Sequence, residues 1–371
     1  MQSPDALFRP FRLKSLDLPN RIVMAPMTRS KSPGQVPGPE VAAYYRRRAA
    51  GGVGLIITEG VGVEHPSATN DVAIPLMWRE DALKGWAAVV KAVKAADGHI
   101  MPQLWHQGIM RRAGTGPYPE APSMSPSGLV VPGGKPVAAP MSQKDIDAVV
   151  EGFAKSAANA KALGFDGVEI HGAHGYLIDQ FFWEGTNQRT DSYGGSIEAR
   201  TKLACEIVAA VRAATGPDFP ILLRYSQWKQ QDFTARLAHN PAELERFLSP
   251  MVKAGVDMFH ASTRRFWEPE FPELDKELNL AGWTKKITGL PAMTVGSVSL
   301  NDDFIVAFIQ KGTETSEAHL DTLLKMLDRG DFDMVAIGRA LIVNPDWADK
   351  IRAGHFDRLV PYDPKALAEL V

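Results

Sequence analysis

The chain has 371 residues, 45% of them hydrophobic and 23% charged, with a formal net charge of −2. That balance describes a soluble globular protein with ample core and argues against a nucleic-acid or anionic-membrane partner. Residues 1–12 hold no apolar run long enough for a signal peptide, and no window reaches transmembrane length.

In chain order, short β-branched runs alternate with helical patterns. The runs fall at residues 22–25, 55–58, 100–104, 167–170, 221–225, 258–260, 292–295 and 334–337. Amphipathic or alanine-rich helices are clearest at residues 81–96, 145–163, 197–214, 241–254 and 318–329. Eight strand–helix repeats predict an α/β chain forming a single (β/α)8 TIM barrel, residues 1–371 as one domain, rather than a doubly wound sheet. Three connections are long. Residues 108–140, after the third strand, are rich in Pro and Gly and read as a lid or rim. Residues 226–240, after the fifth, carry Trp228. Residues 262–282, after the sixth, carry Phe266 and Trp267. Such aromatics suit a planar, apolar ligand, and equally suit ordinary packing under a loop. The one cysteine, Cys205, lies in a helical pattern and can form no intrachain disulfide, which points to a reducing cytoplasm. The same count excludes a cysteine-ligated iron–sulfur cluster and a C-x-x-C pair. A homo-oligomer is compatible with all of this.

The most informative stretch, His171-Gly172-Ala173-His174-Gly175-Tyr176, follows the fourth run. Two imidazoles can donate to one carbonyl oxygen, and a phenol can deliver a proton nearby. That equipment polarises an unsaturated carbonyl and protonates what hydride addition leaves behind. No side chain makes hydride, so a redox cofactor is required. In barrels the loops after the seventh and eighth strands typically bind phosphate; here they read Val295-Gly296-Ser297-Val298 and Ile337-Gly338-Arg339-Ala340. Glycine lets backbone N–H groups approach, and Arg339 adds a charged donor, unless it serves a salt bridge across the barrel mouth. Thr28 and Gln103, at strand ends, can donate to or accept from a flavin-like ring. Arg224 is a charge inside an apolar strand. It suits either the pyrimidine end of a reduced flavin or a buried ion pair with Glu59 or Glu169.

With these residues in view, the chain resembles the old yellow enzyme family of FMN-dependent ene-reductases over nearly all its length. The motifs are Asn20-Arg21-Ile22-Val23-Met24-Ala25-Pro26-Met27-Thr28, Thr58-Glu59-Gly60, Gln103-Leu104-Trp105, His171 through Phe181, and residues 187–200. The last reads as a rigid turn with Ser196 capping the following helix. The resemblance implies FMN across the carboxyl end of the barrel, with NADH or NADPH as hydride donor. It implies that Thr28, Gly60, Gln103 and Arg224 contact the flavin ring, with Pro26 and Met27 along its edge. Gly296, Ser297, Gly338 and Arg339 would hold the phosphate. His171 and His174 would grip the substrate oxygen beside Trp105, and Tyr176 would donate the proton. The implied substrate is a small enone or nitroalkene.

The pattern is not followed everywhere. Thr28 stands where thermostable members often have cysteine, and His174 and Ser297 stand where many members have asparagine. The tail after Gly354 lacks the aromatic pair that often flanks the dimethylbenzene edge of the flavin. Relatives that append an iron–sulfur cluster and a second flavin domain are excluded by length and by the single cysteine. Three other readings fit the residues less well. Zinc at His171 and His174 lacks a third ligand. A flavin-free barrel lyase or aldolase needs a Schiff-base lysine, and no lysine ends a predicted strand. A non-catalytic flavin or ligand scaffold would leave the donor triad idle.

Overall fold

The computed structural model describes residues 2–371. Eight strands close into an all-parallel barrel. They are β1 (Ile22–Met24), β2 (Leu55–Gly62), β3 (Ile100–Trp105), β4 (Val168–His174), β5 (Ile221–Lys229), β6 (Met258–Ser262), β7 (Ala292–Val295) and β8 (Met334–Ile337). Each runs beside its sequence neighbours, and β8 pairs with β1. An antiparallel hairpin, Phe11–Leu13 with Leu16–Leu18, packs on the apolar residues of the barrel interior, among them Val23, Leu55, Met101, Leu222 and Met258. Buried on both faces, these strands are continuous apolar runs rather than alternating ones. A second, larger core lies between barrel and helices.

The helices begin where capping chemistry allows. Ser142 opens Gln143–Ala162 with a reciprocal capping box to Asp145, and Asn240 caps Pro241–Ala254, whose first residue is proline. The helix expected over 197–214 starts only at Lys202; a 3-10 turn, Ala199–Thr201, precedes it, and Ser196 Oγ accepts the Ala199 N–H at 3.2 Å.

Five strands outrun the expected boundaries, β3 by Trp105 alone. β2, β4, β5 and β6 continue through polar residues that carry no apolar signal, so His171 and His174 lie on β4 rather than after it. This also corrects the expectation about lysines, because Lys229 ends β5. It is buried, and its Nζ is 2.6 Å from Asp179 Oδ1. Among the described residues no helix is long and apolar enough to cross a membrane.

Candidate active site

At the carboxyl end of the barrel lies a cleft of about 570 Å³. Its floor follows from side-chain alternation. Met101, Leu222 and Met258 face the barrel interior, so Gln103, Arg224 and His260, two residues further along, face the same way one layer up. Glu169 joins this layer. Its carboxylate accepts from Gln103 Nε2 at 2.8 Å and from His260 Nδ1 at 2.7 Å. Burial alone would raise the Glu169 carboxyl, but His260, Arg224 and the Gln103 amide together hold it below its ordinary range.

Neither ion pair left open for Arg224 forms among the described residues. Glu59 instead accepts the backbone N–H groups of Arg29 and Ser30 at 2.9 and 3.1 Å. Arg224 Nη2 donates to Ser262 Oγ at 3.1 Å, and its Nε is buried without a partner among the described residues. Burial lowers the guanidinium to about 10 against the opposing pull of Glu169, so it stays charged at neutral pH.

The donor triad converges above this floor. The rings of His171 and His174 are 5.1 Å apart, and that of Tyr176 is 5.2 Å from His171. A register shift between Gly172 and His174 in the pairing with β5, with His174 at φ +65°, turns both imidazoles toward one space. Three contacts fix His174: its N–H donates to Ser226 Oγ at 3.0 Å, its Nε2 lies 2.8 Å from Ser262 Oγ, and its ring stacks on Trp228 at 4.4 Å. Burial, with Arg224 adding like-charge repulsion, pushes both imidazoles well below their ordinary pKa, so both are neutral. Gln230 Nε2 donates to Tyr176 Oη at 3.0 Å, and burial raises the phenol above its usual value.

The β7 and β8 ends make the opposite wall. Gly296 has φ +137°, and a Cβ there would lie 2.7 Å from the Thr263 carbonyl oxygen, so glycine is required. Ser297 Oγ is 3.0 Å from the carbonyls of Arg264 and Asp302. Arg339 Nη2 donates to Ser297 Oγ at 3.0 Å and to Asp302 O at 2.6 Å, while Nη1 is buried without a partner among the described residues. No salt bridge of Arg339 forms across the mouth among the described residues. Spare donors at Arg339 and Arg224, at the two ends of a cleft with a glycine cradle, fit a ligand that is a phosphate at one end and a polar ring system at the other. FMN is such a ligand.

Pro26, Met27, Thr28 and Gly338 also line the cleft. Gly60 and Trp105 do not. Gly60 leaves room for the Trp105 indole, which a Cβ would meet at 3.2 Å, and that indole in turn supports Tyr176 edge-on at 5.0 Å. The expected lid does not reach the cleft either: no residue of 108–140 lines it, and the Arg111 guanidinium ties that segment to itself through the Ala121 and Tyr118 carbonyls. Of the loop aromatics, Trp228 lines the cleft, whereas Phe266 is buried and Trp267 stacks on His319 at 3.7 Å. Sequence reasoning missed Ser262, Gln230, Phe233, Arg264 and Phe304, all of which line it. Arg264 follows the sixth run and could have been found from that position; Phe304 lies in a connection that drew no attention.

The fold and the cleft define a flavin-dependent barrel oxidoreductase. The profile of the NADH:flavin oxidoreductase / NADH oxidase family matches residues 6–314, and the chain belongs to this family, the old yellow enzyme family. A 12-oxophytodienoate reductase 2 from Arabidopsis thaliana is 32% identical over 357 residues, covering 92% of this chain and 86% of the relative. An NADH oxidase from Thermoanaerobacter brockii is 33% identical over 359 residues, 94% of this chain; the chain spans only 51% of that relative's length. Morphinone reductase in complex with tetrahydroNAD superimposes with a TM-score of 0.80 at 30% identity, covering 97% of this chain and 93% of that one. The chain is therefore an FMN-dependent oxidoreductase of the ene-reductase type, drawing on NADH or NADPH.

Proposed function

We propose that this chain reduces the activated C=C bond of α,β-unsaturated carbonyl or nitro compounds, with His171 and His174 holding the substrate oxygen and Tyr176 protonating carbon. The convergence of the three rings on one cleft, at 5.1 and 5.2 Å, carries this reading. The hydride would come from FMN held in this cleft, with NADH or NADPH as its source. The flavin ring would rest near Thr28, Gln103 and Arg224, whose charge favours the anionic reduced ring, with the phosphate at Gly296, Ser297, Gly338 and Arg339.

Hydrogen bonding assigns the tautomer of His174. Neutral imidazole has one N–H, and Nδ1 is the nitrogen without a protein partner among the described residues. Ser262 Oγ accepts from Arg224, so its own proton is available for His174 Nε2, leaving an Nδ1–H for the substrate oxygen. Negative charge develops on that oxygen as hydride adds to the β carbon, so both imidazoles act where charge appears. Tyr176 accepts from Gln230 and keeps its own O–H free, and its raised pKa keeps the phenol protonated for transfer to the α carbon.

The lone Cys205 and the apolar core support a cytoplasmic, single-domain protein acting on small molecules. Tyr176→Phe tests the reading. Reduction by the nicotinamide should be nearly unchanged, while reoxidation by cyclohexenone should slow about a hundredfold to ten-thousandfold, the usual share of a general acid. A nitroalkene, whose nitronate can leave and be protonated by water, should still be consumed. Equal slowing of both half-reactions would assign Tyr176 a packing role.

A further inference from the structure

Beside the donor triad the cleft has a second, apolar character that the chemistry above does not use. Trp228, Phe233 and Phe304 form one continuous aromatic wall, with ring centroids 5.9 Å apart from Trp228 to each phenylalanine and 6.1 Å between the two. Trp228 is the ring that stacks on His174, so the wall starts at the oxygen-holding site and runs outward from it. Phe304 comes from a short helix, Phe304–Gln310, set into the connection after β7.

The wall is held in place rather than collapsed. The Trp228 indole donates to the Ser262 carbonyl at 3.1 Å. The Arg264 guanidinium lies over the Phe233 ring, 4.8 Å from its centre. Arg264 and Arg265 both bind Asp303 Oδ2, at 2.7 and 2.6 Å, while Asp303 Oδ1 caps the helix that carries Phe304. This bracing orients the rings, yet Phe233 and Phe304 remain 39% and 42% exposed. Large aromatics fixed at a cleft wall and left partly wet present apolar area for a ligand to cover.

We propose that Phe304 and Phe233 are specificity-determining residues, and that the preferred substrates are α,β-unsaturated carbonyl compounds bearing an aryl or fused-ring substituent. This rests on the reading that His171 and His174 hold the carbonyl oxygen. With the oxygen there, a substituent one ring beyond the enone lies along Trp228 and meets the two phenylalanines. A small cyclic enone leaves them untouched.

The test compares ligands differing by one ring, using the flavin-loaded protein. Phenol carries its oxygen on a planar ring as the enolate does, and 4-phenylphenol extends it by one ring. Calorimetric titration should show the wild type binding 4-phenylphenol at least tenfold more tightly than phenol. In Phe304→Ala and in the Phe233→Ala, Phe304→Ala double variant this preference should fall to threefold or less, with Phe304→Leu between. The kcat/KM ratio of 4-phenyl-3-buten-2-one to cyclohexenone should fall in parallel. Phe308→Ser, on the exposed side of the same helix, should keep the wild-type preference. An unchanged preference in the flavin-loaded alanine variants overturns the proposal. Failure of the wild type to bind phenol at all overturns the underlying reading of the histidines instead.

Discussion

Arg339 shows how a single side chain is committed by its surroundings. One of its terminal nitrogens is spent on Ser297 and Asp302, which fixes the guanidinium plane, and the other is buried with no partner among the described residues. A buried donor left unmade is costly, which supports the proposed phosphate contact at Arg339. Arg339→Ala should therefore yield partly colourless protein with an intact fold. A charged hydrogen bond of about 2 kcal/mol corresponds to roughly a thirtyfold loss of FMN affinity. Flavin absorbance after extensive dialysis measures this, and full occupancy would move the phosphate elsewhere. Arg339 was legible in sequence because it follows a glycine at a strand end. Ser262 was not, although it touches both Arg224 and His174. A serine carries no periodic signal, and its importance comes from two strands lying side by side in register. Gln230 and Phe304 escaped for the same reason, since each meets its partner across the cleft rather than along the chain.

Between residue and barrel, the link from β4 to the short helix Leu177–Phe182 positions Tyr176, the proposed proton donor. Gly175 lies between His174 and Tyr176, and its N–H donates to Asp179 Oδ2 at 2.7 Å. Gln180 Nε2 donates to the Gly175 carbonyl at 2.7 Å, so the helix holds the peptide groups on both sides of the Gly175 Cα. Asp179 is itself paired with Lys229 at the end of β5, both fully buried. Asp179→Asn keeps the shape but leaves a buried lysine unpaired, which should cost about 3–5 kcal/mol. An Asp179→Asn, Lys229→Met double variant should recover much of that loss, because an apolar replacement removes the stranded charge. Urea unfolding of the three proteins decides the matter, and a single variant as stable as wild type would refute the pinning role. The motif from His171 to Phe181 was visible as a string, but its division of labour was not. Apolar periodicity ends β5 at Tyr225, so Lys229 read as loop and its partnership across the barrel was hidden.

At the level of the whole molecule, the eight apolar runs sufficed for the barrel, since strands buried on both faces announce themselves by composition. What composition cannot show is the titration behaviour of the polar groups that closure buries, and this gives the molecule an acid weakness. Burial is the leading cause of a lowered pKa at His65, brought to about 4, and at His106, His171, His174 and His260. A depressed folded-state pKa gives stability that is present above the unfolded value of 6.5 and lost as pH falls below it, because the unfolded chain takes protons that the native state refuses. His65, His106, His171 and His174 each lose about 1.4 kcal/mol between pH 7.5 and 5.5, and His260, which Glu169 partly restores, adds in the same direction. Two buried acids act oppositely. Burial raises Glu59 to about 7 and Asp179 to about 6, so their native forms gain protons over the same interval, offsetting about 3 kcal/mol together. Glu270, also raised by burial, acts the same way. The histidine losses still lead, and stability should fall by about 2 kcal/mol from pH 7.5 to 5.5, well before most carboxylates titrate. The urea midpoint, followed by tryptophan fluorescence, should drop steadily across this range. His65→Gln, away from the cleft, should flatten the slope by about one histidine's share. A midpoint that holds constant or rises toward pH 5.5 would mean the imidazoles are charged in the native protein, and the neutral donors assigned to His171 and His174 would fall with it.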